Sequence, residues 1–236
     1  MIKLENTDVV GWEHVIRGMR NPMNSWERSD SGYCHRDLAR DCTTCIHRST
    51  DYPACYSRFD IGPNDYALMM NLANGGPVHA KYRRMIVVYI DITAPLYWWK
   101  EFDTYKVGTV ANSCSTMHKI AAKRFTLDDF SHEHLICTCM LESIISELNI
   151  YRDIYNNYDK QTDEYKAEFS KKLIWWQMIQ LLPSSYNQLR TVDLDYEVLL
   201  NQYFQRKDHK LDEWRIYCEQ IKCFPYLTEF IEVLEK

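Results

Sequence analysis

The segment of residues 78–118 constrains the fold of this chain most strongly, because it places a strand directly before a helix start. Residues 85–92 have the sequence MIVVYIDI, an apolar run of strand length, and Ala94-Pro95 follows shortly after it. Proline suits the first turn of a helix, since its fixed φ matches the helical value and its missing N–H needs no partner there. The sequence therefore predicts a strand over residues 85–92 and a helix that starts at Pro95.

An aromatic face and a polar end distinguish this predicted helix. Trp98, Trp99 and Phe102 lie on its first turns, and after Gly108 the chain continues with the small polar segment TVANSCST, residues 109–116. Short hydroxyl side chains and free backbone N–H groups after a helix can bind an anion or the edge of a base. We interpret residues 109–116 as a ligand-binding loop, with an ordinary polar loop as the alternative.

A second segment near the C-terminus has a similar alternation of elements. Residues 182–188, LPSSYNQ, precede the strand-like LRTVDL of residues 189–194. A helix over residues 195–206 is predicted next, and it contains Asn201 and Arg206. Asp212-Glu213-Trp214 then begins a further helical pattern, so this segment also pairs a strand with a helix.

Together the two segments resemble the flavin-dependent thymidylate synthases. In that family a histidine precedes a strand, Ala-Pro opens the next helix, and the helix leads into the signature Arg-His-Arg-x-x-Ser. His79 and Ala94-Pro95 match this order, and the spacing from His79 to the signature agrees without a gap. At the signature itself the chain has Thr104-Tyr105-Lys106, with Thr109 in place of the serine. The chain is similar to a divergent member of the family.

The resemblance also implies which residues form the site, although it leaves the catalytic residue unknown. The nucleotide-binding set that it implies is Arg206, Glu101, Ser113, Cys114 and Ser115. The set that it places against the flavin is His79, Lys106, Asn201 and Asp195. Glu101 stands where the family has glutamine, and Asp195 stands where it has asparagine.

The fold and activity follow from the same resemblance. It implies an α+β protein, a helix-rich domain with a small mixed or antiparallel sheet. The implied enzyme transfers a one-carbon unit from a folate donor to dUMP or a related pyrimidine deoxynucleotide, with FAD and NADPH. A homotetramer is implied too, and the tryptophans at positions 98, 99, 175 and 176 are expected at subunit interfaces. The alternative is a non-catalytic relative that serves as a nucleotide-binding or regulatory module, because Thr104 removes a signature charge.

A cysteine-rich insertion over about residues 31–60 has no counterpart that we can place in the family. It contains Cys34, Cys42, Cys45 and Cys55, of which the middle two form a Cys-x-x-Cys turn. Such a turn presents two sulfurs to one metal, and the flanking cysteines complete a set of four ligands. A structural zinc site is therefore predicted here, with an iron–sulfur cluster or unliganded cysteines as alternatives.

Composition sets the remaining expectations. A chain of 236 residues with 14% aromatic residues and a net charge of -5 predicts one compact domain over residues 1–236, without the basic footprint of a nucleic-acid-binding protein. No apolar run approaches the roughly 20 residues that span a bilayer, and the N-terminus lacks a signal sequence, so we expect a cytoplasmic protein without membrane contact. Its nine cysteines are expected to be mostly reduced, with Cys137 and Cys139 buried in a helix.

Apolar periodicity predicts the other helices. They cover residues 12–19, 65–72, 135–151, 164–182 and 210–221, and a last one starts at Pro225. Asn64 or Asp65 is expected to cap the second of these. Arg17 or Arg20, at the end of the first, is a candidate for phosphate binding, and the alternative is that both are solvated.

Overall fold

The computed structural model describes residues 2–33 and 59–236. The helices in this part are α1 (Trp12–Arg20), α2 (Pro63–Asn74), α3 (Leu96–Phe102), α4 (Thr116–Lys119), α5 (Cys139–Asn156), α6 (Asp163–Glu168), α7 (Lys171–Leu181), α8 (Tyr196–Arg206), α9 (Asp212–Ile221) and α10 (Leu227–Leu234). The strands are β1 (Lys3–Val10), β2 (Gly32–Tyr33), β3 (Phe59–Asp60), β4 (Val87–Pro95), β5 (Thr109–Ser113) and β6 (Asn187–Asp195). Within this part, no helix is both long and apolar enough to cross a membrane.

Four of the strands form one small sheet with the order β1-β4-β6-β5, and β2 pairs with β3 in a separate antiparallel ribbon. β5 runs antiparallel to β6, with Val110 opposite Asp193 and Ser113 opposite Arg190. The helix-rich α+β class with a small sheet is confirmed. The predicted strands over residues 85–92 and 189–194 correspond to β4 and β6, which are the two central strands of the sheet.

The chain divides into two compact units. The first unit consists of Met1–Asp8, Tyr89–Leu194 and Gln202–Gln220, and the second consists of Val9–Val88, Asp195–Asn201 and Ile221–Lys236. The prediction of a single domain over residues 1–236 stays a prediction.

One hydrophobic core of the first unit lies between α5 and α7. Leu141, Ile145 and Leu148 on α5 are buried with Met178 on α7, as their helical spacing predicts. Asn149 is also buried on α5, and its amide bonds the backbone N–H and C=O of Phe125, both at 2.9 Å. These two bonds satisfy a buried polar side chain and fix the preceding loop against the helix.

A second core of the first unit is aromatic and joins α3 to α9. Trp98 packs on Trp214 with ring centroids 4.7 Å apart and stacks on Phe102 at 5.1 Å. Trp98 and Trp99 are no more than 1% exposed within the single chain. The expectation that these two tryptophans need a subunit interface is therefore wrong, whereas Trp176 is 40% exposed.

In the second unit, Trp12 on α1 packs edge-on against Tyr196 and Tyr226. α1 buries the same face that its sequence pattern predicts. A buried ion pair links this helix to α2: Arg20 donates from Nε to Asp65 at 2.6 Å, and the Asp65 side chain is 0% exposed. Arg20 therefore has an internal partner, and the prediction of a phosphate contact for it loses support.

Asp65 does not cap α2 as predicted. Its Oδ2 accepts hydrogen bonds from the hydroxyls of Ser29 and Ser31 and from the backbone N–H groups of Asp30 and Ser31. The capping role belongs to Asp30, whose carboxylate accepts from the N–H groups of Asn64 and Asp65. The sequence does not indicate this cap, because Asp30 lies more than thirty residues before the helix that it caps.

The predicted helix over residues 164–182 is broken in the structure. α6 ends at Glu168, Phe169 adopts an extended conformation, and Ser170 is the N-cap of α7. The Ser170 hydroxyl accepts a hydrogen bond from the N–H of Leu173 at 3.2 Å, so it satisfies one donor that a helix start leaves free. Serine inside an apolar helical pattern was the available signal for this second start.

Ser170→Ala is expected to lower the free energy of unfolding by about 1 kcal/mol, because the cap of α7 is lost. Chemical denaturation of the purified variant measures this change. Ser184→Ala, at an exposed serine outside the helices, serves as the matched control and should lie within about 0.5 kcal/mol of the parent. Equal losses in the two variants would show that Ser170 does not act as a cap.

The start of α5 also differs from the prediction. The helix begins at Cys139 rather than near residue 135, and the segment before it is exposed. Cys137 and Cys139 are exposed and joined by a disulfide bond, so the expectation of two buried thiols is wrong. The cysteines of the described part that form no disulfide bond are Cys114, Cys218 and Cys223, and Cys218 is buried.

Candidate functional site

An ion pair between the ends of α3 and α8 forms the centre of the candidate site. Arg206 donates from Nη1 to Oε2 of Glu101 at 2.9 Å. The two side chains are 20% and 34% exposed, so the pair is partly shielded but reachable from solvent. Glu101 and Arg206 are 105 residues apart in sequence. The resemblance placed both in the nucleotide-binding set, and the structure brings them together.

Aromatic side chains hold the Arg206 guanidinium in place. It lies over the Trp214 ring at 5.0 Å from the centroid, and its Nε donates to the Tyr105 hydroxyl at 2.9 Å. Trp214 in turn donates from Nε1 to the same Glu101 oxygen at 3.0 Å. A planar guanidinium stacked on an aromatic ring and hydrogen-bonded at its edge keeps one orientation.

His209 completes the shell around Glu101. Its Nε2 lies 3.3 Å from Glu101 Oε2, and its Nδ1 accepts the backbone N–H of Leu211 at 3.2 Å. A nitrogen that accepts carries no proton, so the neutral ring has its proton on Nε2, the nitrogen that faces Glu101. Arg206, Trp214 and His209 thus converge on one carboxylate oxygen.

The helix that carries Glu101 is fixed at its start. The N–H groups of Leu96 and Tyr97, at the start of α3, donate to the carbonyls of Tyr186 and Ser184, both at 3.0 Å. The Tyr97 hydroxyl donates to Glu213 on α9, and burial together with this hydrogen bond raises the pKa of Tyr97. The two segments that the sequence singled out are therefore bonded to each other through α3.

The polar segment after α3 is not the loop that we predicted. Residues 109–113 form the edge strand β5, because their backbone groups pair with β6. Ser113 ends this strand and is exposed, and Cys114 follows with its N–H bonded to the carbonyl of Leu189 at 2.9 Å. Ser115 caps α4 by accepting from the N–H of His118. The alternating pattern of β5 is weak, since four of its five residues are exposed.

Cys114 and Ser115 line a cavity of about 1030 Å³ in the first unit. Its wall includes Lys123, Asp129 and Tyr186, and the Lys123 ammonium bonds the Asp129 carboxylate. Burial raises the pKa of the Tyr186 phenol, with a further contribution from Asp129. Glu101, Arg206 and Ser113 are not part of the wall. The predicted nucleotide set therefore falls into two groups.

Gln188 and Arg190 on β6 connect the segment of Cys114 with the end of α3. Gln188 donates from Nε2 to the Cys114 carbonyl and to the Thr116 hydroxyl, both at 3.1 Å. Arg190 donates to Gln188 Oε1 at 3.0 Å and to Asp103, directly after α3, at 2.7 Å. Its guanidinium also lies 4.2 Å above the Trp99 ring. A polar chain thus runs from the cavity rim to the end of α3.

The residues that the resemblance placed against the flavin are divided between the units. Lys106 is exposed after α3 in the first unit. His79, Asp195 and Asn201 belong to the second unit, where His79 and Asn201 are exposed. Asp195 caps α8, since its Oδ1 accepts the N–H of Val198 at 2.9 Å, and burial raises the pKa of its carboxyl group. Asp195 therefore has a structural role whatever else it binds.

The four cysteines of the predicted metal site, at positions 34, 42, 45 and 55, lie outside the described residues. Among residues 2–33 and 59–236, no cluster of histidine, cysteine and acidic side chains could hold a metal ion. The metal prediction stays a prediction.

Sequence reasoning did not select Tyr105, Trp214, His209, Gln188 or Arg190 as site residues. The signal for Trp214 was its position in the resemblance, beside the glutamate of Glu213-Trp214. Tyr105 occupies the middle of the altered signature, and its hydroxyl donates to Gln205 at 3.0 Å besides accepting from Arg206. Tyr105 thus supplies a hydrogen-bond partner for Arg206.

Two solved structures have the same fold. One is thymidylate synthase X (ThyX) from Helicobacter pylori with FAD and dUMP, with a TM-score of 0.63, 10% identity and complete coverage of both chains. The other is the flavin-dependent thymidylate synthase ThyX from Helicobacter pylori complexed with FAD and dUMP, with a TM-score of 0.59 and 12% identity. The match to this second structure covers 98% of our chain and 96% of the ThyX chain. No protein-family model and no curated protein matches the chain.

Proposed function

We propose that this protein is a flavin-dependent thymidylate synthase-like enzyme, which transfers a one-carbon unit to dUMP or a related pyrimidine deoxynucleotide with FAD. The observation that carries the proposal is the position of Arg206, a guanidinium held between Trp214 and Tyr105 and opposite Glu101. A preoriented arginine in a partly shielded aromatic setting suits a phosphate or a pyrimidine carbonyl. The fold shared with two FAD- and dUMP-bound structures supports the same reading.

Each residue of the proposed site has a role that follows from its chemistry. Arg206 would bind the nucleotide, since its Nε and Nη1 are engaged with protein and Nη2 offers a further donor pair. Glu101 would hold Arg206 in place. Ser113, Cys114 and Ser115 would contact the nucleotide from the side of β5 and α4, where Cys114 and Ser115 already face a cavity.

The residues proposed for the flavin fit it in part. His79 and Asn201 present exposed polar side chains on their unit, and Lys106 is an exposed cation after α3. Asp195 fits less well, because its carboxylate is engaged as the cap of α8. When bound, FAD would supply the hydride that reduces the transferred one-carbon unit, with a folate as donor and NADPH as reductant. The chain's own task is to orient the nucleotide and shield it from water.

A non-catalytic module that binds nucleotides or regulates a partner is the second candidate. The pairing of Arg206 with Glu101 and Tyr105 favours it, because these contacts partly neutralise the guanidinium and occupy its Nε and Nη1 donors. The side chain of Thr104 bonds the backbone carbonyl of Glu101 at 2.7 Å and offers no charge to a ligand.

Flavin content separates these two candidates. The enzyme is expected to purify yellow or to take up FAD with a visible flavin absorbance band, and its melting temperature should rise with dUMP, since a ligand that binds only the folded state stabilises it. Formation of thymidylate from dUMP, a folate donor and NADPH then tests the reaction itself. Protein that binds dUMP but takes up no FAD would support the binding module, and protein that binds neither would end both proposals.

We also propose that the protein is a homotetramer and works in the cytoplasm. With Trp98 and Trp99 buried in the single chain, the argument from aromatic side chains now rests on Trp176, which is 40% exposed. Met117 and Leu173, which are 53% and 40% exposed, add aliphatic surface. Light scattering at micromolar concentration is expected to give a multiple of the 28.2 kDa chain mass. A species of 28.2 kDa alone would contradict this expectation.

The cysteine cluster at positions 34, 42, 45 and 55 is proposed to hold a structural zinc ion, or an iron–sulfur cluster. Elemental analysis of the purified protein distinguishes zinc from iron, and a brown colour would indicate an iron–sulfur cluster. Protein free of both metals would contradict the proposal.

A further inference from the structure

The disulfide between Cys137 and Cys139 is a feature that the proposed function does not use. It joins two residues separated only by Thr138. Cys139 is the first residue of α5, and Cys137 lies two residues before it. Both cysteines are exposed, so their sulfur atoms lie at the protein surface. The pair belongs to the first unit.

A structural role does not account for this bond. A disulfide stabilises mainly by restricting the unfolded chain, and the stabilisation becomes smaller as the closed loop becomes shorter. The loop here contains three residues, which is close to the minimum that two cysteines can close. The core between α5 and α7 is built from residues deeper in α5 and does not contain either cysteine. Chemistry at the sulfur atoms is the better explanation.

The start of α5 favours a negative charge on Cys137. α5 is 18 residues long, and the backbone N–H of its first residue, Cys139, donates to the Cys137 sulfur at 3.2 Å. An N–H donor and the positive end of a helix both stabilise a thiolate. Glu142 in the first turn acts in the opposite direction, but its carboxylate accepts a hydrogen bond from the Thr138 hydroxyl at 2.6 Å. Cys137 is therefore the better nucleophile of the pair.

The surface around the pair is apolar. Leu135, Ile136 and Met140 are 50%, 107% and 75% exposed, and each lies within two residues of the nearer cysteine. Apolar side chains beside reactive sulfur atoms suit a peptide segment whose own cysteine has apolar neighbours, because contact removes both apolar surfaces from water. A small charged thiol such as glutathione gains nothing from them.

We propose that Cys137 and Cys139 form a thiol–disulfide exchange site that acts on protein or peptide disulfides with apolar flanking residues. In the reduced pair, the Cys137 thiolate attacks one sulfur of the substrate disulfide, and the other substrate sulfur leaves as a thiolate that takes up a proton. Cys139 then loses its proton and attacks the Cys137 sulfur, which closes the 137–139 bond and releases the second substrate thiol. The substrate disulfide gains the two electrons that the pair loses, and a cellular dithiol reductant regenerates the pair by the reverse exchange.

The first experiment asks whether the pair changes its oxidation state reversibly. The full-length protein is equilibrated in glutathione buffers of graded ratio, quenched with acid, alkylated and digested with trypsin. The peptide of residues 125–152 contains only these two cysteines, so it reports them separately from all others. We expect this peptide to shift as a whole between a doubly alkylated and an unalkylated form. A peptide that stays doubly alkylated in oxidised glutathione would overturn the proposal, as would one that stays unalkylated in excess dithiothreitol.

The second experiment measures exchange itself with a self-quenched peptide disulfide whose cysteines are flanked by leucine and isoleucine. We expect Cys137→Ser to slow the release of the fluorophore about tenfold or more, because the attacking thiolate is gone. Cys139→Ser should instead accumulate a mixed disulfide with the peptide on Cys137, visible by mass spectrometry. Cys223→Ser, at an exposed free cysteine, is the matched control and should react like the parent. Equal rates for the parent and Cys137→Ser would refute the site.

Discussion

Arg206→Ala is expected to weaken the binding of dUMP about a hundredfold, and this is the sharpest test of the proposed nucleotide site. A charged hydrogen bond is worth about 1.5–3 kcal/mol, and every 1.4 kcal/mol corresponds to a factor of ten in affinity. The fold should persist, because Glu101 keeps the hydrogen bond from Trp214 Nε1 when Arg206 is removed. Calorimetric titration of dUMP into the parent and the variant measures the effect.

Two further variants separate charge from geometry at this position. Arg206→Lys retains the positive charge but loses the planar guanidinium, so we expect it to bind dUMP more weakly than the parent and more tightly than Arg206→Ala. Glu101→Gln removes the negative charge opposite Arg206 while keeping an acceptor oxygen. Since dUMP is an anion, this variant should bind at least as tightly as the parent.

The structural alternative for Arg206 makes a different prediction. If the guanidinium serves only to join α8 to Glu101 and Tyr105, its removal lowers the melting temperature and leaves the affinity for dUMP unchanged. Equal affinities of the parent and Arg206→Ala would therefore remove Arg206 from the nucleotide site. A parent protein that binds no pyrimidine nucleotide would remove the site altogether.

Asp65→Ala is expected to produce the largest loss of stability, about 3–5 kcal/mol, because it leaves the charge of Arg20 buried without its partner. The loss extends to the backbone N–H groups of Asp30 and Ser31, which donate to the same carboxylate. An unsatisfied buried donor adds its own desolvation cost. Urea denaturation monitored by tryptophan fluorescence measures the change in the free energy of unfolding.

Substitutions of Arg20 and of Asp65 should not lower the free energy of unfolding equally. Arg20→Met removes one donor, but Asp65 keeps the hydroxyls of Ser29 and Ser31 and two backbone N–H groups. We therefore expect Arg20→Met to cost clearly less than Asp65→Ala. Asp8→Ala, at an exposed aspartate of β1, controls for the loss of a carboxylate and should lie within about 0.5 kcal/mol of the parent. A loss below about 1 kcal/mol for Asp65→Ala would contradict the structural role of this network.

Asp65 also makes a specific contribution to stability as a function of pH. Burial by itself raises the pKa of its carboxyl group, but the hydrogen bonds from Ser31, Ser29 and Arg20 outweigh burial and lower the pKa below its ordinary value of 3.8. The folded protein therefore binds this proton less readily than the unfolded chain. The resulting stabilisation is present above pH 3.8 and is lost as the pH falls through the lowered pKa. Asp65→Asn should show a shallower loss of stability in that range than the parent.

The sequence determined the order of elements wherever a local rule was strong. The apolar run before Ala94-Pro95 predicted β4 and the start of α3, since a fixed φ and a missing N–H act within one turn of the chain. The spacing of apolar residues predicted α1, α5 and the face that each of them buries, because side chains three and four positions apart share one side of a helix. The resemblance added the fold class and placed Glu101 and Arg206 in one predicted nucleotide-binding set.

Only the tertiary structure decided the features that depend on partners distant in sequence. Residues 109–113 form a strand because β6 supplies their hydrogen-bond partners, and nothing in their own polar sequence indicates this. Asp30 takes the capping role that we predicted for Asn64 or Asp65, because the fold brings it to the start of α2 and leaves Asp65 to Arg20. Trp98 is buried within one chain because Trp214 of α9 packs on it, and Trp99 is buried beside β6, where its Nε1 donates to the Gln188 carbonyl. No count of aromatic residues could establish these contacts. Short-range periodicity thus predicted the amphipathic helices, whereas long-range packing decided the edge strand β5 and which side chains remain available for chemistry.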